Sequence, residues 1–199
     1  GERLFHATGD PRISRDGRGC ASCHIDGRDD GLTWGRQTPQ LAGRLAGRSA
    51  FGWLGDNDSL IDHIRETIDA RLDGGGLGDD ELADLAAYCL EMPVAPQGLE
   101  PQATGALARR GEQLFGSEPL GCPTCHRDGH GDGQRHDVGT GLAALTPSLR
   151  AVAGSAPYYH DGRYGSLAEL LRETKGTMGW GGDASDADLE AIEAYLRTL

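Results

Sequence analysis

The chain has 199 residues, enough for one domain or two small ones, but its 37% apolar and 6% aromatic content with 32 glycines is a thin supply for two purely protein cores of about 100 residues each. Its 31 acidic and 19 basic residues give a formal charge of −12, which argues against a nucleic-acid partner and suits either plain solubility or the steering of a basic protein. No run of 18 apolar residues occurs, so no membrane span is expected.

In chain order, Gly1-Glu2-Arg3-Leu4-Phe5 opens a short amphipathic helix, and Cys20-Ala21-Ser22-Cys23-His24 follows it. Cys-x-x-Cys-His is the pattern of covalent c-type haem attachment. Two thiols add across the vinyl groups of one porphyrin, and the histidine becomes the proximal iron ligand. Cys-x-x-Cys alone also serves zinc sites and redox dithiols. With five cysteines in all, however, an all-thiolate zinc site would have to draw both Cys pairs together and leave both histidines idle. A long glycine-rich stretch carrying Trp34 and Trp53 comes next; both are read as core packing or as electron-path aromatics.

Spacing predicts a helix over 60–71, with Leu60, Ile61, Ile64 and Ile68 as its apolar stripe and His63 at the stripe's edge. Three roles are open to His63: sixth ligand of a first iron, distal acid or base over an open iron, or an ordinary half-exposed histidine. Arg71 and Asp73 end this stretch. A terminal helix carries Leu82, Leu85, Tyr88 and Cys89, the last read as a buried core thiol. Three prolines at 93, 96 and 101 mark a linker, dividing the chain into 1–94, a connection over 95–105, and 106–199.

The second part repeats the first. Gly111-Glu112-Gln113-Leu114-Phe115 matches the opening helix, and Cys122-Pro123-Thr124-Cys125-His126 is a second attachment motif. Thr146-Pro147-Ser148-Leu149 answers Thr38-Pro39-Gln40-Leu41, Ser166-Leu167 answers Ser59-Leu60, and Leu189, Ile192, Tyr195 and Leu196 answer the first terminal helix. Each copy therefore reads as a short helix, an attachment loop, a glycine-rich stretch, a middle helix and a terminal helix. The expected fold is all-α: two tandem cytochrome c-like domains, each wrapped around one covalent c-type haem. Such domains should be poorly folded without haem.

The copies differ at the sixth ligand position. Met178, in a glycine-flanked loop after the second middle helix, is read as the second haem's sixth ligand, with flexible core filling as the alternative. Alignment of the repeats puts Arg71 or Leu72 at the same place in the first copy, so the two haems are not interchangeable. Met92, at the linker, is the weaker ligand. His136 and His160 are expected to support haem through propionate or peptide carbonyl groups, and His6 and His130 to lie on the surface. Since haem is attached to reduced thiols outside the bacterial cytoplasm, and no signal peptide stands at Gly1, the chain is read as a mature or excised periplasmic or extracellular piece.

The two attachment motifs, together with Thr146-Pro147-Ser148-Leu149-Arg150 running into Ala156-Pro157-Tyr158-Tyr159-His160-Asp161-Gly162 and with Asp10-Pro11-Arg12-Ile13-Ser14, resemble the bacterial diheme cytochrome c peroxidase superfamily, which includes MauG-type enzymes. The likeness spans nearly the whole chain. It implies a peroxidatic N-terminal haem and an electron-relaying C-terminal haem with His126/Met178 ligation. That family's peroxidatic pocket carries a glutamine and a glutamate; here His63 stands in the glutamine-like place and Asp73 is the nearest acidic match. The asparagine associated with an interdomain calcium is not evident around Leu41-Ala42-Gly43, and calcium is not expected.

Two functions follow as expectations. In the first, a redox partner protein such as a small basic electron carrier reduces the second haem, and hydrogen peroxide is reduced at the first, with His63 moving the proton and Arg71 or Asp73 assisting. In the second, both irons are six-coordinate, His24/His63 and His126/Met178, and the chain only transfers electrons, alone or as a module of a larger protein. An oxidase or dehydrogenase module acting on a small substrate is a third class.

Overall fold

The structure is a computed structural model that describes residues 1–32, 35–94, 105–178 and 184–199. The chain divides into two compact units: Gly1–Leu32 with Thr38–Ala95, and Thr33–Gln37 with Pro96–Leu199. Most of the expected linker, 95–104, lies outside the described residues, as do Trp34 and the segment 179–183 after Met178.

In the first unit, α1 (Glu2–Phe5) leads to 3-10 turns at Cys20–Ser22 and Ile25–Gly27, then α2 (Leu60–Glu66) and α3 (Asp79–Glu91). Ser59 caps α2 by accepting the amide of Asp62 at its hydroxyl, 3.4 Å away. The helix expected over 60–71 is not uniform. After Glu66 it widens into a π turn, Thr67–Arg71, closed by the Leu72 amide on the carbonyl of Thr67 at 3.1 Å. The extra residue in that turn leaves Ile68 only 2% exposed. Asp73 then reverses the chain at φ +50, and the amides of Gly75 and Gly76 bond the carbonyls of Pro11 and Arg12, each at 2.9 Å. Phe5, Leu45, Phe51, Leu60, Leu85, Cys89 and Met92 share one core.

In the second unit, α4 (Ala106–Phe115) precedes a 3-10 turn at Cys122–Thr124, and α5 (Leu167–Glu173) and α6 (Asp186–Leu196) complete the helical frame. Ser166 caps α5 through the Glu169 amide at 3.1 Å, repeating the cap at Ser59. Phe115, Leu120, Val152, Tyr158, Leu167, Leu171, Leu189, Ile192 and Leu196 form the core.

The all-α expectation needs one correction. Two small antiparallel sheets lie between the attachment motif and α5: β1 (His126–Arg127) with β2 (His130–Gly131), and β3 (Arg135–Asp137) with β4 (Ala143–Leu145). The first is a hairpin whose two loop residues, Asp128 and Gly129, both have positive φ, at +50 and +75, as a type I′ turn requires. Strands this short and polar carry no alternating pattern, although the Asp-Gly pair was a usable signal.

The same helix crossing recurs in both units. At Gly1 a side chain would overlap the carbonyl of Asp84 and the Cβ of Tyr88 on α3; at Gly111 it would overlap the carbonyl of Ala191 and the Cβ of Tyr195 on α6. Only glycine admits so close an approach of backbones. No described helix is long and apolar enough to cross a membrane.

Candidate functional site

Each Cys-x-x-Cys-His motif folds the same way. The Cys23 amide bonds the Cys20 carbonyl at 3.2 Å, and the Thr124 amide bonds that of Gly121 at 3.0 Å, closing single 3-10 turns. In a 3-10 turn, side chains three apart eclipse, so the two cysteines of each motif fall on one face. Pro123 sits at the start of its turn, where no amide donor is required. All five cysteines are free thiols. Burial raises the pKa of each, to about 11 for Cys122 and about 12 for Cys89, the opposite of an activated redox dithiol. Cys89 lies in the first core, 5% exposed.

The histidines that follow share an environment. His24 and His126 are partly exposed as whole residues, yet each Nδ1 is fully buried without a hydrogen bond of good geometry. Burial pulls both imidazoles down to about 4, so both are neutral near pH 7. The carbonyl of Pro39 acts on His24 in the opposite, smaller sense; on His126 the Asp132 carboxylate does so first and the carbonyl of Pro147 after it.

The repeated Thr-Pro-x-Leu segments explain this match. Leu41 donates its amide to the carbonyl of Gly27 at 2.8 Å, and Leu149 donates to that of Gly129 at 2.9 Å. Each clamp holds a Thr-Pro carbonyl beside the histidine three residues upstream of the clamping glycine. The repeat was legible in sequence; that it sets a carbonyl beside each histidine was not.

Met178 packs against the second core, which Cys122 also touches. Met92 lies 6% exposed in the first core, against Gly27 and Ala42, and serves there as packing. His63 is half-buried on α2 and acts electrostatically on His24. Its own pKa is lowered by burial and then by Arg71, with Arg48 adding to this and Glu66 and Asp56 opposing it. Its ring lies against Gly52, where an added Cβ would stand 3.0 Å from Cε1. Asn57, which sequence reading passed over, places its side-chain nitrogen 3.5 Å from His63 Nδ1.

Arg71 is exposed. Asp73 is exposed too, and its carboxylate is engaged by Arg15 at 2.7 Å in a surface ion pair. Trp53 is half-buried. His6 is exposed, 3.4 Å from the Tyr88 hydroxyl. His130, expected on the surface, is half-buried on β2 with Nδ1 shut away from solvent and partners. His160 is 6% exposed, and its carbonyl accepts the Gln37 amide at 2.8 Å. His136 is paired with Asp132 at 2.8 Å and lies 3.8 Å from the Cys125 sulfur. Cys125, Asp132 and His136 are close enough together to share a metal ion.

No family model matches the chain, and no curated protein matches it. Among solved structures, it is similar to a hydrazine synthase from Kuenenia stuttgartiensis, with a TM-score of 0.83 at 20% identity, covering 100% of this chain and 85% of that one. It is also similar to a MauG-like protein associated with microbial copper homeostasis, with a TM-score of 0.75 at 20% identity, covering 99% of this chain and 86% of that one. The chain therefore shares, over essentially its whole length, the fold of these two proteins.

Proposed function

We propose that the chain is a two-haem c-type cytochrome with peroxidase-like chemistry, Cys20 and Cys23 holding the first haem and Cys122 and Cys125 the second. His24 and His126 are the proximal ligands and Met178 the sixth ligand of the second iron. The observation that carries this is the paired environment of His24 and His126: each follows an eclipsed Cys pair, stays neutral, and keeps a buried Nδ1. The residues fit the group. In each motif two free thiols lie on one face of a single turn, directly before a histidine with a lone pair to give iron. The two domains over 1–94 and 106–199 each enclose one haem.

When bound, the haems supply redox-active iron. Hydrogen peroxide, two electrons and two protons give two waters; the electrons come singly from a reduced small basic carrier protein drawn to the acidic surface. Electrons enter at the Met178 side and are spent at the His24 side. There His63 presents an N–H to the reacting oxygen, and Arg71 contributes positive charge. Asp73, occupied by Arg15, is given no role. Thioether formation places the protein in the periplasm or outside the cell, and it consumes the Cys125 sulfur that a metal at Cys125, Asp132 and His136 would need.

The test is peroxide-dependent oxidation of a reduced, basic cytochrome by the haem-loaded protein. His63→Ala should lower kcat by about 10²–10³-fold, the usual worth of one preorganised hydrogen-bond donor. Absence of any peroxide-dependent oxidation in the unaltered protein would instead make it an electron carrier.

A further inference from the structure

The neighbours of His63 settle a point that helix spacing leaves open. Asn57 donates its side-chain NH2 to the Glu66 carboxylate at 2.7 Å. A carboxylate only accepts, so this bond fixes which end of the amide is nitrogen. That nitrogen is also the atom 3.5 Å from His63 Nδ1. At that distance, the outer limit of a hydrogen bond, the tautomer that pairs the two has Nδ1 accepting, and in a neutral imidazole the proton is then on Nε2.

The arrangement is built rather than incidental. A bridge between Phe51 and Asn57, with the Phe51 amide on the Asn57 carbonyl at 2.9 Å, closes the loop that carries both. Gly52, at φ +80, lets that loop approach the imidazole, where an added Cβ would stand 3.0 Å from Cε1. Arg48, its Nε on the Ala50 carbonyl at 3.1 Å and its guanidinium over Phe51, adds positive charge from the same loop. Among the described residues nothing hydrogen-bonds Nε2.

We propose that Asn57, oriented by Glu66, holds His63 as the Nε2–H tautomer, so that His63 offers the first haem a hydrogen-bond donor for a bound oxygen or fluoride ligand rather than a nitrogen ligand for iron. This rests on haem being attached at Cys20 and Cys23. A protonated Nε2 has no lone pair to give the metal, and the sixth position stays open.

The experiment is EPR of the oxidised, haem-loaded protein, with fluoride as the probe. The unaltered protein and His63→Ala should both show a high-spin haem, with fluoride bound about tenfold more weakly in His63→Ala, the worth of one hydrogen bond. Asn57→Asp replaces the donor by an acceptor, moves the proton to Nδ1 and frees Nε2, so the high-spin signal should convert to low-spin. Glu66→Gln, which loosens the amide's orientation, should shift it part of the way. Two low-spin haems in the unaltered protein, one becoming high-spin in His63→Ala, would overturn the proposal, as would a signal indifferent to both Asn57→Asp and Glu66→Gln. Fewer than two haems per chain would instead overturn the reading beneath it.

Discussion

His24 and His126 stay neutral in the folded chain down to about pH 4 because burial withholds the solvation that a charged imidazole needs. In an unfolded chain the same groups take up protons near pH 6.5. Between these values each folded imidazole keeps a lone pair to offer iron, where an unfolded one has spent it on a proton. The matched turns at Cys20–Ser22 and Cys122–Thr124 were legible residue by residue because the Cys-x-x-Cys-His spacing repeats unchanged. Asn57 was not, since its importance lies in which atom faces His63 Nδ1, and spacing along a chain carries no such information. Asp73 shows the reverse error: its separation from His63 looked suitable, but the π turn and the reversal at φ +50 deliver it to Arg15 at the surface.

At the scale of elements, the internal repeat proved the most informative pattern. It anticipated matched helix starts at Ser59 and Ser166, and the matched crossings at Gly1 and Gly111 show why glycine opens each copy's first helix motif. Gly111→Val should cost about 1–3 kcal/mol, since a side chain there meets the backbone of Ala191, which cannot rotate away. A thermal or denaturant melt checks this, and an unaltered midpoint would mean that α4 and α6 separate freely. Two features escaped the repeat. Among the described residues, the π turn after α2 has no counterpart after α5, and both short sheets lie in the second unit. Two- and three-residue strands stabilised by turn geometry leave no hydrophobic period to read, so they surface only through an Asp-Gly pair.

For the whole molecule, composition and structure pose one problem: 37% apolar residues and 32 glycines spread over two separate cores. A buried porphyrin in each unit would supply the missing apolar area, so haem-free chain should show little cooperative unfolding, and a sharp melt of the apo-chain would contradict that. The charge of −12 belongs to the same scale: oxidation of a basic donor should slow as ionic strength rises through the range where the Debye length shrinks below about 10 Å. Everything above the residue scale depends on two covalent haems. The most direct measurement is the intact mass of the chain matured in a periplasm equipped for c-type haem attachment, read beside its alkaline pyridine haemochrome spectrum. Two haem masses are expected on the full chain and one on the Cys20→Ala/Cys23→Ala variant; an unmodified mass, with metal retained by the thiols instead, would contradict covalent attachment.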